Sequence, residues 1–377
     1  MNVENIGVIS NMNICFILGG FTSNGGIGRV VSILVNGLCK DANLNIYTIS
    51  FYDTKMPNLY KIDKRVQQNY LFESRINMSK GILKGGILKL KRFLYNNNID
   101  ILVACGALYF PISILSCKGT QTKCICWEHS NIYTTDDHNF QRFCRYFGAK
   151  FSDYVVTLTK RDETDYINRY HITKIKQIYN PVDKNLNDNS YEYDSKSKKI
   201  ISVGRLTPPK NYSTLIDIAS VILTKYDDWT WDIYGNGELF NDLQRKINDY
   251  GLQDKLKLKG QVNNIYELYH KYSFLVMTST REGFPMVLIE AAANFLPLVS
   301  FDIVTGPNEI IKHGVNGYLI EPFSIDLMIQ HIEKLILEEE TRIKMAENSK
   351  RISGNFSFDF IINEWKVLFQ LIKDRKD

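Results

Sequence analysis

Residues 179–206, YNPVDKNLNDNSYEYDSKSKKIISVGRL, decide how this chain is read. The run from 179 to 199 is polar and carries Pro181, so it cannot extend a buried element. At KIISVGRL an apolar, β-branched strand pattern begins again. Working upstream, short apolar runs at residues 13–18, 44–50, 100–105, 123–128 and 154–159 alternate with helical patterns. Downstream the same alternation recurs at 200–203, 229–234, 255–258, 274–278, 298–301 and 317–320. Strand and helix in alternation predict parallel sheets covered by helices. The expected fold is therefore α/β: two Rossmann-like domains facing a cleft, with ligands at the carboxyl ends of the strands. The predicted boundaries are 1–184, a linker at 185–199, a second domain at 200–355 and a closing helix at 356–377.

The 377 residues, 44% hydrophobic and 23% charged, suffice for two sizeable cores. A net charge of +5 is too small to argue for nucleic acid, yet it suits an anionic substrate or membrane surface. No apolar run has the length of a membrane span. The start, MNVENIGVISNMNICFILGG, lacks a basic n-region, which predicts a cytoplasmic protein, with residues 1–11 as a tail or an upstream start. Seven cysteines, an odd number without C-x-x-C spacing, read as reduced thiols. Cys124, Cys126 and His129 are conceivable metal ligands, but KCICWEHS alternates as a strand does and no second ligand pair stands nearby. No metal and no cofactor are expected.

Four stretches carry candidate chemistry. In REGFPMVLIEAAANF, residues 281–295, Pro285 suits a first helical turn and the apolar residues after it recur at helical spacing. Glu282 then lies in the loop and Glu290 one to two turns inside the helix. Free N–H groups at a helix start favour phosphate, and two carboxylates beside it can accept bonds from sugar hydroxyls. The loop GGFTSNGGIGRV, with Gly26 and Gly28, allows close approach of backbone N–H groups to phosphate. Val31 spoils a dinucleotide fingerprint, and no G-K-[ST] follows to make a P-loop. In VGRLTPPKN, Arg205 and Lys210 leave a strand as two cations able to hold a diphosphate. CWEHSN sets His129 at a strand end, where it can bond a substrate hydroxyl.

Together with YGNGEL, these residues resemble the retaining glycosyltransferases of family 4, of the type that builds bacterial surface polysaccharides, over nearly the whole chain. The resemblance implies the GT-B fold, with the acceptor mainly on the first domain and the nucleotide sugar mainly on the second. It implies that Glu290 binds ribose hydroxyls and Glu282 those of the transferred sugar, with Gly283 and Phe284 beside them as backbone contacts. Arg205 and Lys210 neutralise the diphosphate, Gly26 and Gly28 offer backbone N–H groups, and His129 touches the donor sugar. His129, Arg205, Lys210 and Glu282 form the implied catalytic set. It further implies transfer of a hexose or N-acetylhexosamine, with UDP expected ahead of GDP, to a growing lipid-linked glycan. No two aspartates stand one residue apart, which is consistent with metal-independent transfer. The closing helix is expected to cross back to the first domain, burying Phe360, Ile361, Trp365, Leu368 and Ile372.

KGILKGGILKLKRFLYNNN, residues 80–98, aligns Leu83, Ile87, Leu90 and Leu94 in one stripe with lysines alongside and no acid. It is expected to rest on the inner face of the cell membrane. The alternatives are an inactive carbohydrate-binding partner of a glycosyltransferase complex, or a sugar phosphorylase or epimerase of related fold.

Overall fold

The computed structural model describes residues 11–22, 25–133, 139–186, 192–262 and 264–375; residues 1–10, most of the expected tail, lie outside these. The chain divides into two units, Met1–Pro181 with Phe358–Asp377, and Val182–Ser357.

The first unit runs β1 (Met12–Leu18), α1 (Gly26–Leu38), β2 (Leu44–Ser50), β3 (Gln67–Tyr70), α2 (Met78–Leu83), α3 (Gly86–Asn96) and β4 (Ile101–Cys105). It continues through α4 (Phe110–Cys117), β5 (Lys123–Trp127), α5 (Asn139–Phe151), β6 (Tyr154–Thr157), α6 (Lys160–Tyr170) and β7 (Ile175–Gln177). These strands form one parallel sheet in the order β3-β2-β1-β4-β5-β6-β7. Strand β1 lies inside it between β2 and β4, with Ile14 opposite both Ile46 and Ile101. Helices cover both faces of such a sheet, so its inner strands read as unbroken apolar runs. The five strands expected here are the five interior ones, β1, β2, β4, β5 and β6. The two unforeseen strands are the edges, QQNY and IKQ, whose polar side chains carry no apolar signal.

The second unit runs β8 (Lys199–Val203), α7 (Tyr212–Lys225), β9 (Thr230–Tyr234), α8 (Phe240–Asp249), β10 (Leu256–Gly260) and β11 (Phe274–Met277). Then come α9 (Met286–Ala293), β12 (Leu298–Phe301), α10 (Pro307–Ile310), β13 (Gly317–Ile320), α11 (Ile325–Leu337) and α12 (Glu339–Ser353). Its parallel sheet has the order β10-β9-β8-β11-β12-β13. The core gathers Ile200, Trp231, Ile233, Phe274 and Phe301 beneath Leu215, Ile222 and Ile332 of the covering helices. Residues 192–199 are bound to this unit: Tyr193 Oη donates to Ser273 O at 2.7 Å and Arg342 Nη2 donates to Ser195 O at 3.0 Å.

The closing helix, α13 (Phe358–Asp374), belongs to the first unit. Its Trp365 ring packs 4.7 Å from Trp127 and 6.5 Å from Phe16. Gly37 on α1 makes room for it, since a Cβ there would fall 2.4 Å from Ile362 Cδ1. The Lys366–Asp41 ion pair at 2.5 Å closes the join. Ile361, Trp365, Leu368 and Ile372 are buried, whereas Phe360 is 45% exposed and Phe358 and Phe369 take core positions instead.

Residues 80–98 correct the sequence expectation. They form no single helix, because Gly85 adopts φ +78° and separates α2 from α3. Leu90 and Leu94 are fully buried, and Ile87 packs on the same core. The apolar stripe is thus spent on the first unit and is not available to a bilayer; Leu83's side chain lies outside the described residues. Among the described residues no helix is long and apolar enough to cross a membrane. All seven cysteines are buried and free of disulfides. Burial raises the thiols of Cys15 and Cys105, which fits packing rather than reactivity.

Candidate active site

The loops that leave the carboxyl ends of β8, β9, β11 and β12 converge in the second unit. After β8, Leu206 is drawn to the β9 loop by N–H donation to Asn236 O at 3.0 Å. Two glycines of YGNGEL permit the approach. A Cβ at Gly235, where φ is +141°, would lie 1.8 Å from Gly204 O, and one at Gly237 would lie 2.3 Å from Leu206 O. Pro208 then opens a single 3-10 turn that ends at Lys210. The stem of Lys210 folds back over Gly204, 3.5 Å from where a Cβ would stand.

Lys210 Nζ donates to Glu282 Oε1 at 2.5 Å, and Ser279 Oγ donates to the same oxygen at 2.7 Å. The side chains are 20% and 13% exposed, so the pair is shielded without being sealed. Arg205 stands exposed on the same loop, and its guanidinium has no partner among the described residues. Pro285 occupies the cap position just ahead of Met286, one residue earlier than the expected first turn. The loop before it is held from the β12 side. Thr305 Oγ1 donates to Glu282 O at 2.7 Å, and Gly306, at φ +101°, lies where a Cβ would meet Pro285 Cδ at 2.5 Å.

Glu290 lies within α9 and is fully buried; its Oε2 accepts from Tyr269 Oη at 3.3 Å. Phe284 is buried, with its ring 5.7 Å from that of Phe356. The structure thus joins Lys210 to Glu282, with Arg205 on the loop that carries Lys210, while Glu290 is held within α9 by Tyr269. Gly26, Gly28 and His129 belong to the first unit. Gly26 opens α1, and Gly28 faces Gly20 O, which a Cβ would approach to 3.1 Å.

His129 follows β5. Its ring packs 4.2 Å from Trp127, its Nε2 is enclosed without a partner among the described residues, and burial lowers its pKa to about 4. It is a neutral imidazole at neutral pH, suited to hydrogen bonding rather than to charge. The residue before it was not foreseen as functional. Glu128 Oε1 accepts from His129 N, Ser130 N and Ser130 Oγ, each at 3.1 Å, while Oε2 accepts from Arg145 Nε at 2.9 Å and Tyr166 Oη at 2.7 Å. Burial raises this carboxyl's pKa, but the Arg145 charge and these bonds outweigh it and hold it low. A carboxylate closing the apolar run KCICW was the available signal. Thr305 and Tyr269 had none, since they meet Glu282 and Glu290 from 23 and 21 positions away, and Ser279, although three residues from Glu282, belongs to no motif.

Similarity to known proteins extends over both units. The description "Glycosyl transferases group 1" matches residues 183–352, and "Glycosyltransferase Family 4" matches residues 24–186. The amylovoran biosynthesis glycosyltransferase AmsD of Erwinia amylovora is 28% identical, over 93% of this chain and 97% of that protein. An N-acetyl-D-galactosaminyltransferase of Campylobacter jejuni, named for an undecaprenol diphosphate-linked glycan, is 26% identical over 96% of this chain and 99% of its own. The structure of Staphylococcus aureus TarM, in complex with UDP and α-GlcNAc-glycerol, superposes with a TM-score of 0.80 at 17% identity, covering 95% of this chain and 99% of that one. One family description falls on each unit, and the fold is shared over the whole length. The chain belongs to the family 4 glycosyltransferases and has the GT-B fold of two Rossmann-like units.

Proposed function

We propose that this enzyme moves a hexose or N-acetylhexosamine from a UDP-sugar to a hydroxyl of a growing, lipid-linked surface glycan, with retention of configuration. The observation that carries the reading is the Lys210–Glu282 pair, with exposed Arg205 on the same loop as Lys210. Two cations and a carboxylate in one loop cluster match a ligand that is anionic at one end and hydroxylated at the other. UDP in the TarM complex and the undecaprenol-linked glycan named for the Campylobacter relative support the choice of donor and acceptor. The proposed place of action is the inner face of the cell membrane.

In this scheme Arg205 and Lys210 face the diphosphate, and the charge that grows as the C1–O bond to phosphate breaks is met by cations already in position. Glu282 accepts bonds from hydroxyls of the transferred sugar. His129, neutral, offers a hydrogen bond to a sugar hydroxyl, and the N–H groups after Gly26 and Gly28 are offered to phosphate. The acceptor oxygen attacks C1 on the face the diphosphate leaves. Its proton passes to the departing phosphate oxygen, and UDP is released. No protein nucleophile enters this scheme.

Screening UDP- and GDP-sugars for diphosphate release, with and without lipid-linked acceptors, tests the reading; no release from any donor would overturn it. Activity is expected to survive EDTA. Complete loss that is restored by Mg²⁺ or Mn²⁺ would refute metal-independent transfer. Glu290→Gln keeps the side-chain volume and is expected to weaken UDP affinity by about 1–3 kcal/mol through a lost charged acceptor. Calorimetry showing unchanged affinity with lowered stability would instead restrict Glu290 to anchoring Tyr269.

A further inference from the structure

Beside the glycine loop the first unit carries an open recess of about 130 Å³ that the transfer scheme above does not use. It lies at the carboxyl ends of β1, β2 and β3, with Ser50, Asp53, Met56, Asn58, Gln68 and Tyr70 among its lining residues. Ligands of parallel sheets gather at this end. Gly20 joins the recess to the loop that carries Gly28: a Cβ at Gly20 would stand 3.6 Å from Ser50 Oγ, and one at Gly28 would stand 3.1 Å from Gly20 O. The segment 53–59, which supplies much of the lining, is pinned at both ends. Asp53 N donates to Phe72 O at 2.8 Å, and Leu59 N donates to Phe21 O at 2.9 Å. Between them Lys55 holds φ +58°, a strained conformation for lysine that persists only where the surroundings impose it. The recess is smaller than the roughly 300–1,000 Å³ that encloses a drug-sized ligand, so it suits a single sugar ring and its substituent.

The chemistry of the lining narrows the ligand. No lysine or arginine lines the recess, and its one carboxylate, Asp53, is paired with Lys55 at 2.9 Å. A phosphate or an acidic sugar would meet no cation there. Asn58 Nδ2 donates to Gln68 Oε1 at 2.7 Å. That bond leaves Asn58 Oδ1 as an acceptor and Gln68 Nε2 as a donor on adjoining amides, neither with a partner among the described residues. Exchanging oxygen and nitrogen in both side chains would still leave one acceptor and one donor. The complement of such a pair is another amide, whose N–H and C=O engage both at once. In a glycan the 2-acetamido group supplies it. Its methyl group suits Met56, 66% exposed, and the apolar face of the pyranose suits the ring of Tyr70, 51% exposed. A hydroxyl in place of the acetamido group reaches one of the two partners and not both.

We propose that this recess binds a 2-acetamido sugar of the acceptor glycan, with the amide spanning Asn58 Oδ1 and Gln68 Nε2, and that it thereby selects which glycan is extended. This rests on the glycan-acceptor reading above, but it is measured without transfer. Saturation-transfer NMR and calorimetry on the intact chain compare the methyl glycosides of N-acetylglucosamine and N-acetylgalactosamine with those of glucose and galactose. The wild type is expected to bind the acetamido pair about tenfold more tightly, through one further hydrogen bond and the methyl contact. Asn58→Ala/Gln68→Ala is expected to abolish that difference with an unchanged thermal midpoint, because both side chains are exposed. Gln68→Glu keeps the size and the bond from Asn58, but it offers an acceptor where the acetamido carbonyl needs a donor, and it is expected to lose the preference equally. Affinity for UDP-N-acetylglucosamine is expected to stay unchanged in both variants. A fall there, in place of a fall in glycoside binding, would assign acetamido recognition to the donor and overturn the proposal. Absence of wild-type binding, equal binding of the two sugar classes, or a preference that survives in either folded variant would overturn it as well. A chain that prefers acetamido glycosides yet releases no UDP from any donor would keep the recess and overturn the donor reading alone.

Discussion

Lys210→Ala is expected to lower kcat by about two to three orders of magnitude, the loss typical of removing one preorganised group that stabilises developing charge. The ammonium is already positioned, with Nζ 2.5 Å from Glu282 Oε1 and the stem laid over Gly204, so little reorganisation remains when the leaving group gains charge. Stability should change far less. Both partners touch solvent, and an ion pair of this kind contributes at most about 1 kcal/mol. Arg205→Ala is expected to act in the same direction, since its exposed guanidinium supports no described contact. A fall in kcat with KM nearly constant would assign Lys210 to the transition state, whereas a rise in KM alone would assign it to uniform binding. Wild-type turnover in both variants would remove the diphosphate role from this loop.

Arg145→Ala should unfold the first unit's site region at markedly lower denaturant, with about 3–5 kcal/mol lost. Arg145 and Glu128 are each 1% exposed, and removing the guanidinium strands a buried carboxylate. Urea unfolding monitored by far-ultraviolet circular dichroism measures the loss, and a value below about 1 kcal/mol would show that the pair is not needed. The pH dependence has a definite sign. Glu128 is held below its ordinary pKa, so its contribution is fully present above the unfolded carboxyl value and is lost as pH falls through the folded one. His129, lowered to about 4, adds to the same trend: its stabilisation is present above the unfolded imidazole value near 6.5 and is lost as pH falls toward 4. Acid therefore weakens the His129 loop twice. Because Glu128 also fixes His129 N and both donors of Ser130, the same acid range should lower activity before global unfolding.

Much of the fold and part of the site were legible because they are written locally. Interior strands of a parallel sheet must be apolar along their whole length, so β1, β4, β5, β8 and β11 announce themselves, while the edge strands β3 and β7 meet solvent and carry no such mark. The spacing from Glu282 to Glu290 and the pair Arg205 with Lys210 were visible for the same reason, each lying within one loop and its adjoining element. What joins them was not visible. Lys210 meets Glu282 across 72 positions of sequence, and Arg145 meets Glu128 across a loop whose residues give no hint of the pairing.

The sequence by itself determined the two α/β units, the family and the loops that carry the candidate chemistry, because strand alternation and motif spacing are properties of neighbouring residues. Only the tertiary structure decided which face of each helix is inside. The leucines of α3 and the phenylalanines of α5 show the same helical spacing, yet Leu90 and Leu94 are fully buried while Phe143 and Phe151 stand half outside. Periodicity states that a helix has an apolar stripe. The volume available beneath it decides where that stripe points: Gly148 lets α5 approach Phe110 so closely that its small face must turn inward, leaving the larger rings outside.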